Sequence, residues 1–236
     1  QRGYDPIGGP GHGTARCDYF RVGGVTGRLA TVLEAAVGEG LLTSAVALDG
    51  VGHSEGFLRS GGLEPTFTPG VSDLAIDLGT GGGLPGVVLA TRTRARWLLV
   101  ERSDRRCRFL EWAVRELDLG VRVEVVNADA RDLARSNRRG QAALVTARAF
   151  GPPAVTAEIG AALLTVGGTL VVSEPPPRDG VNPVERWPLA GIGRLGLVDA
   201  GRWHSGMFGY QALSCGLLTP DRFPRGGPAM ASDPVF

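Results

Sequence analysis

The sequence predicts an α/β domain on a mostly parallel sheet, and three observations carry that expectation. From Pro69 onward, short β-rich runs alternate with helical periods, the pattern of parallel strands joined by crossover helices. A glycine-dense turn, IDLGTGGGLPG from Ile76 to Gly86, directly follows the first of these runs. At 236 residues and 43% hydrophobic content, the chain can bury the core of one such domain with a modest extension.

The elements follow in order. Residues 1–24 are dense in glycine without a sustained apolar period and read as a flexible arm. Residues 25–68 form a small N-terminal helical element: Val25, Leu29, Val32, Leu33, Ala36 and Val37 fall at helical spacing, and a second, weaker helix is placed over Val46–Arg59. Residues 69–218 form the sheet domain. Its strands are Leu74–Leu78, Trp97–Glu101, Val121–Val126, Ala143–Ala147 and Thr169–Ser173, with helices over Leu84–Thr91, Asp104–Leu117 and Val155–Leu164 between them. The runs Gly193–Ala200 and Tyr210–Leu218 sit close enough to pair as a closing antiparallel hairpin, which makes seven strands. Residues 219–236, rich in Pro and Gly, form a C-terminal tail that wraps the surface.

Composition narrows the function. No apolar run reaches the roughly 18 residues of a membrane span, no secretory pattern opens the sequence, and a cytoplasmic location is expected. Cys17, Cys107 and Cys215 form no CxxC pair, and His12, His53 and His204 show no ligand spacing, so neither a disulfide framework nor a metal is expected. Net charge is only +1; all 25 basic residues are arginine, a side chain that meets phosphate with a planar fork.

The glycine turn carries the chemistry. Between a strand and a helix it lets backbone approach a ligand at the carboxyl edge of the sheet, and Pro85 suits a first helical turn. Gly81 to Gly86 satisfies GxGxxG, a weak sign of a dinucleotide, and the absence of GK[ST] excludes a P-loop. Three carboxylates select the ligand. Asp77 heads D-x-G-x-G-x-G through Gly79, Gly81 and Gly83, placed to hold a cationic amino group directly or through water. Glu101 ends the second strand, placed to accept both ribose hydroxyls. Asp129 follows the third strand, placed to accept from an adenine amino group. A pyrophosphate gains little from a carboxylate at Asp77, whereas an ammonium and a sulfonium gain from it, which selects S-adenosylmethionine over NAD.

With these residues the chain resembles the glucose-inhibited division protein B family, bacterial enzymes that methylate N7 of a guanine in 16S ribosomal RNA. The likeness runs from about Asp73 to Pro228. It is carried by IDLGTGGGLPGVVLA, by Ser103 to Leu110 after the second strand, by Thr146-Ala147-Arg148-Ala149-Phe150 after the fourth, and by Thr219 to Arg225 in the tail. It implies a class I methyltransferase, a Rossmann-like seven-stranded sheet, with S-adenosyl-L-methionine as cofactor and Gly79, Leu84, Ala130, Arg131 and Arg148 as contacts. The partner it implies is ribosomal RNA or the small ribosomal subunit, and we expect a monomer. Departures are Leu42-Thr43-Ser44, the isolated His53, Ala143, and Ser173-Glu174-Pro175-Pro176-Pro177 where the family tends to carry Lys-Gly. An acidic Glu174 there would repel a phosphate backbone. A diverged paralogue acting on another RNA or a small molecule, or a binding module without transfer, therefore stays open.

Guanine N7 has a free lone pair, so its attack on a sulfonium methyl needs no general base, and no Ser/His/Asp or Cys/His set is present. Arg148 is the expected catalytic residue, orienting the cofactor carboxylate or the guanine edge. Arginines cluster at 92, 94 and 96, at 102, 105, 106 and 108, and at 131, 135, 138 and 139, as candidate RNA-facing positions.

Overall fold

The computed structural model describes residues 27–58, 68–176 and 186–236. The expected arm, the end of the second helix at Arg59, and Pro177 lie outside the described residues. Two helices open the description, α1 (Arg28–Gly38) and α2 (Ser44–Glu55), followed by a 3-10 turn over Gly56–Leu58. Leu29, Val32, Leu33 and Ala36 form the buried stripe of α1. Thr43 caps α2, its hydroxyl accepting from Val46 N at 3.3 Å.

Among the described residues seven strands follow: β1 (Leu74–Leu78), β2 (Arg96–Glu101), β3 (Val123–Asn127), β4 (Ala142–Ala147), β5 (Leu164–Glu174), β6 (Leu197–Ser205) and β7 (Phe208–Cys215). They form one sheet in the order β3-β2-β1-β4-β5-β7-β6, parallel except where β7 pairs antiparallel with β5 and β6. Helices α3 (Gly86–Arg92), α4 (Asp104–Glu116), α5 (Ala130–Arg135) and α6 (Pro153–Leu163) make the crossovers, and α7 (Leu189–Arg194) precedes the hairpin. The tail is structured and carries α8 (Gly227–Ser232).

Alternation along the strands divides the core between the two sheet faces. Ala75, Trp97, Leu99 and Leu144 meet the apolar sides of α1 to α4, with Phe57, Phe109 and Tyr210 among the bulky buried side chains. Ile76, Leu98, Val100 and Val145 meet α5 to α8, together with Trp187 and Phe223. The hairpin locks the N-terminal helices onto the first face: Trp203 Nε1 donates to Gly56 O at 2.8 Å, and Tyr210 Oη donates to His53 O at 2.7 Å.

Candidate active site

The sheet changes winding direction between β1 and β4, and in such sheets ligands bind beyond the carboxyl ends at that point. A cavity of about 460 Å³ lies there, within the usual size range of small-molecule sites. Gly79 after β1, Glu101 and Arg102 at the end of β2, Ala128 to Arg131 after β3, and Ala149 to Pro152 after β4 supply its walls.

The glycine loop is shaped by what lies under it. Gly79 has φ +66°, and a Cβ there would come within 2.9 Å of the Phe150 ring, so this position is closed to a side chain on both counts. Thr80 N donates to Val100 O at 3.1 Å, tying the loop to β2. Gly81 (φ +61°) and Gly83 (φ +103°) complete the bend, and Leu84 is buried in the first core.

Asp77 sits beneath this loop rather than in the cavity, with no exposed surface. Its Oδ2 accepts from Gly86 N at 3.0 Å and its Oδ1 from Thr146 Oγ1 at 2.7 Å. Burial pushes its carboxyl up to about 6, against the opposing effect of these hydrogen bonds and of the Arg148 charge.

Glu101 is 5% exposed and lines the cavity. Its Oε1 accepts from the N–H groups of Arg102 (2.9 Å) and Ser103 (3.0 Å), and its Oε2 accepts from Gly81 N at 3.1 Å, with Arg106 Nη1 at 3.6 Å. A carboxylate offers about four acceptor positions, so beside these three amides Glu101 keeps acceptor capacity for a further donor. Asp129 caps α5 and grips Arg131, with Oδ1 accepting from Arg131 N (2.8 Å) and Nε (3.0 Å) and Oδ2 from Nη2 (2.7 Å). These bonds hold its carboxyl below the usual range. Oδ2, with one donor, keeps acceptor capacity, and both Asp129 and Ala130 line the cavity.

Arg148 does not line the cavity; its neighbours Ala149 and Phe150 do. It is half-buried, and desolvation lowers its pKa while the nearby Asp77 and Tyr210 raise it. His53 lies in the same quarter, stacked on Phe208 with ring centroids 4.1 Å apart. Its buried Nε2 has no hydrogen-bond partner among the described residues, and burial, aided by Arg148, pushes its pKa down to about 4.

Several arginines taken from sequence as RNA-facing have other partners. Arg92 pairs with Glu55 at 2.7 Å and Arg105 with Glu39 at 3.2 Å. Arg135 donates to Pro224 O, and Arg139 to the carbonyls of Thr219, Pro220 and Phe223, so both hold the tail. Arg102 and Arg106 remain exposed at the cavity rim. Glu174 also differs from the expectation of a free repelling charge: it accepts from Trp187 Nε1 at 2.6 Å and lies 2.8 Å from Arg186 Nε. Sequence reading missed Phe150 to Pro152 and the tail residues Gly227, Met230 and Ala231 as cavity walls. Their local signals in the sequence were the motif ending at Phe150 and the Pro-Arg stretch before Gly226. Among the described residues no group of His, Cys, Asp or Glu could hold a metal ion, and no helix is long and apolar enough to cross a membrane.

Solved structures share this fold. Geranyl diphosphate C-methyltransferase from Streptomyces coelicolor, in complex with Mg2+, geranyl diphosphate and S-adenosyl-L-homocysteine, superposes with a TM-score of 0.57 at 14% identity, covering 84% of this chain and 96% of that one. A geranyl diphosphate methyltransferase in complex with SAM superposes with a TM-score of 0.54 at 16% identity, over 70% and 85% of the two chains. The strand order and the position of the cavity are those of the class I methyltransferase fold these structures share, and the group expected from sequence is S-adenosylmethionine. The cavity fits that group in volume, in its glycine wall and in carboxylates that retain acceptor capacity.

Residues 63–174 match the family model GidB, rRNA small subunit methyltransferase G. Curated relatives called ribosomal RNA small subunit methyltransferase G agree. The one from Dinoroseobacter shibae is 35% identical over 108 residues, 44% of this chain and 52% of the relative. Those from Leifsonia xyli subsp. xyli and Caulobacter vibrioides are 38% identical over 120 residues (50% and 54% of the two chains) and 48% over 80 residues (32% and 34%). The chain spans about half the length of the curated relatives it matches.

Proposed function

We propose that this chain transfers a methyl group from S-adenosylmethionine to N7 of a guanine in 16S ribosomal RNA, in the cytoplasm. The observation that carries the reading is the family match over residues 63–174, which contains the glycine loop and the strand ends around the cavity. When bound, the cofactor supplies an electrophilic methyl carbon on a positively charged sulfur. Guanine N7 already holds a lone pair, so the protein's task is alignment and exclusion of water rather than proton removal.

In this reading Glu101 accepts one ribose hydroxyl on the free position of Oε2, and Asp129 accepts from the adenine amino group on Oδ2. Gly79, Ala130 and Phe150 wall the adenosine, and Arg131 holds Asp129 in place. Gly81, Gly83 and Leu84 shape the loop, while Asp77 supports it from below by holding Gly86. Arg148 orients the reacting groups at the end of β4, and Arg102 and Arg106 attract phosphate at the rim. Because Glu174 is occupied by Trp187 and Arg186, it is no argument against an RNA acceptor.

The test is transfer of labelled methyl to small ribosomal subunits from a strain lacking the family enzyme, with mapping of N7-methylguanine. Label at a single guanine supports the reading. No label from a preparation that binds S-adenosylhomocysteine would overturn the ribosomal substrate and direct attention to another RNA or a small acceptor.

A further inference from the structure

We propose that the tail from Phe223 to Ala231 is a working wall of the cofactor cavity, and that the buried Glu158–Arg225 pair holds it there. Glu158 and Arg225 are then positioning residues for the cofactor. The inference rests on the cofactor reading given above.

Helix α6 is buried along most of its length, and its only charged residue, Glu158, is 1% exposed. A carboxylate in such a place is costly unless fully partnered, and an apolar side chain of similar size often serves stability as well or better. Glu158 is fully engaged by one residue. Its Oε1 accepts from the backbone N–H of Arg225 and from Nε at 3.1 Å, and its Oε2 accepts from Nη2 at 2.9 Å. This arrangement fixes the path of the tail backbone as well as the guanidinium. Arg135 and Arg139 secure the preceding carbonyls, and Phe223 is buried in the second core.

The position fixed in this way leads directly to the cavity. Gly227, Met230 and Ala231 line it together with Gly79 and Glu101. A Cβ on Gly227 would come within 2.1 Å of Arg131 Nη1, so the tail backbone lies against the guanidinium that grips Asp129. A continuous contact thus runs from Glu158 through Arg225 and Gly227 to Arg131 and Asp129 at the cavity. Stability alone does not require a buried ion pair here, whereas placing a wall does.

The test uses the full chain with Glu158→Gln, and with Gly227→Ala as a second variant that leaves the core untouched. S-adenosylhomocysteine affinity is measured by calorimetry, and amide hydrogen exchange is followed across 223–232 with and without ligand. The expected result is a loss of affinity of about tenfold in each variant, within the usual range of coupling between sites. Protection of 223–232 by ligand is expected in the wild type and reduced in Glu158→Gln. Unchanged affinity in Gly227→Ala, or faster exchange across the tail of Glu158→Gln with unchanged affinity, would overturn the inference. A wild-type chain that binds neither S-adenosylmethionine nor S-adenosylhomocysteine would overturn the cofactor reading itself, a result separable from failure of the variants alone.

Discussion

Asp77 and Thr146 are register partners on adjacent parallel strands, and the Thr146 hydroxyl donates a 2.7 Å hydrogen bond to Asp77 Oδ1. With Gly86 N on its other oxygen, the carboxyl joins β1, β4 and the start of α3 at one buried point. Its pKa of about 6 lies above the ordinary value of an unfolded chain, so the stability it contributes is fully present below about pH 3.9 and is lost as pH rises through 6. Asp77→Asn can keep both hydrogen bonds, because a hydroxyl accepts as well as donates. The stability of wild type relative to this variant should fall by up to about 3 kcal/mol between pH 4 and pH 7 in denaturant titrations. A constant difference would place the carboxyl in its ordinary range.

His53 should act in the opposite direction over nearly the same interval. Its pKa is depressed to about 4, so its contribution is present above about pH 6.5 and is lost as pH falls through 4. The stability of wild type relative to His53→Gln should therefore rise with pH in urea melts taken at steps from 4 to 7. The reverse slope would exclude a buried neutral imidazole.

Gly86 has no room for a methyl group: a Cβ would lie 2.5 Å from Asp77 Oδ2 and 2.7 Å from Leu99 Cδ2. Gly86→Ala should cost about 1–3 kcal/mol by forcing these groups apart. It should also weaken S-adenosylhomocysteine binding, since the same shift moves the loop. Thermal melts and calorimetry on one preparation check both effects.

Arg148→Ala should lower kcat/KM for methyl transfer by about tenfold or more. A folded variant with unchanged turnover would remove Arg148 from the reaction.

The rim and tail arginines should separate by salt dependence. Arg102→Ala or Arg106→Ala should each lower the slope of log affinity for RNA against log salt by about one. Arg139→Ala, which removes donors to three tail carbonyls, should leave the slope unchanged and lower the melting temperature instead.

The sheet was readable because β1 to β4 are short apolar runs bounded by turns; β1 appears with the expected limits, and the ends of β2, β3 and β4 differ by one or two residues. β5 begins five residues before the expected Thr169, since Leu164 already pairs with Ala142 around a register shift. Helices α5, α7 and α8 were missed because each is six residues long, too short to display a helical period. Glycine spacing and strand-end carboxylates located the site, but the burial of Asp77 depends on Gly86 and Thr146, which meet it only after the strands pair. The role of Arg139 was hidden for a related reason: an arginine that binds distant carbonyls looks, in sequence, like one that faces solvent.

The tail wall has a consequence for the order of events during translation. The glycine loop, the β2 and β3 ends and the β4 turn all leave the ribosome before Gly227 and Met230 do. A nascent chain therefore has the strand ends of its pocket while one side is still open. If the wall is needed for tight binding, cofactor capture waits for the tail, and a prematurely terminated product does not sequester the methyl donor.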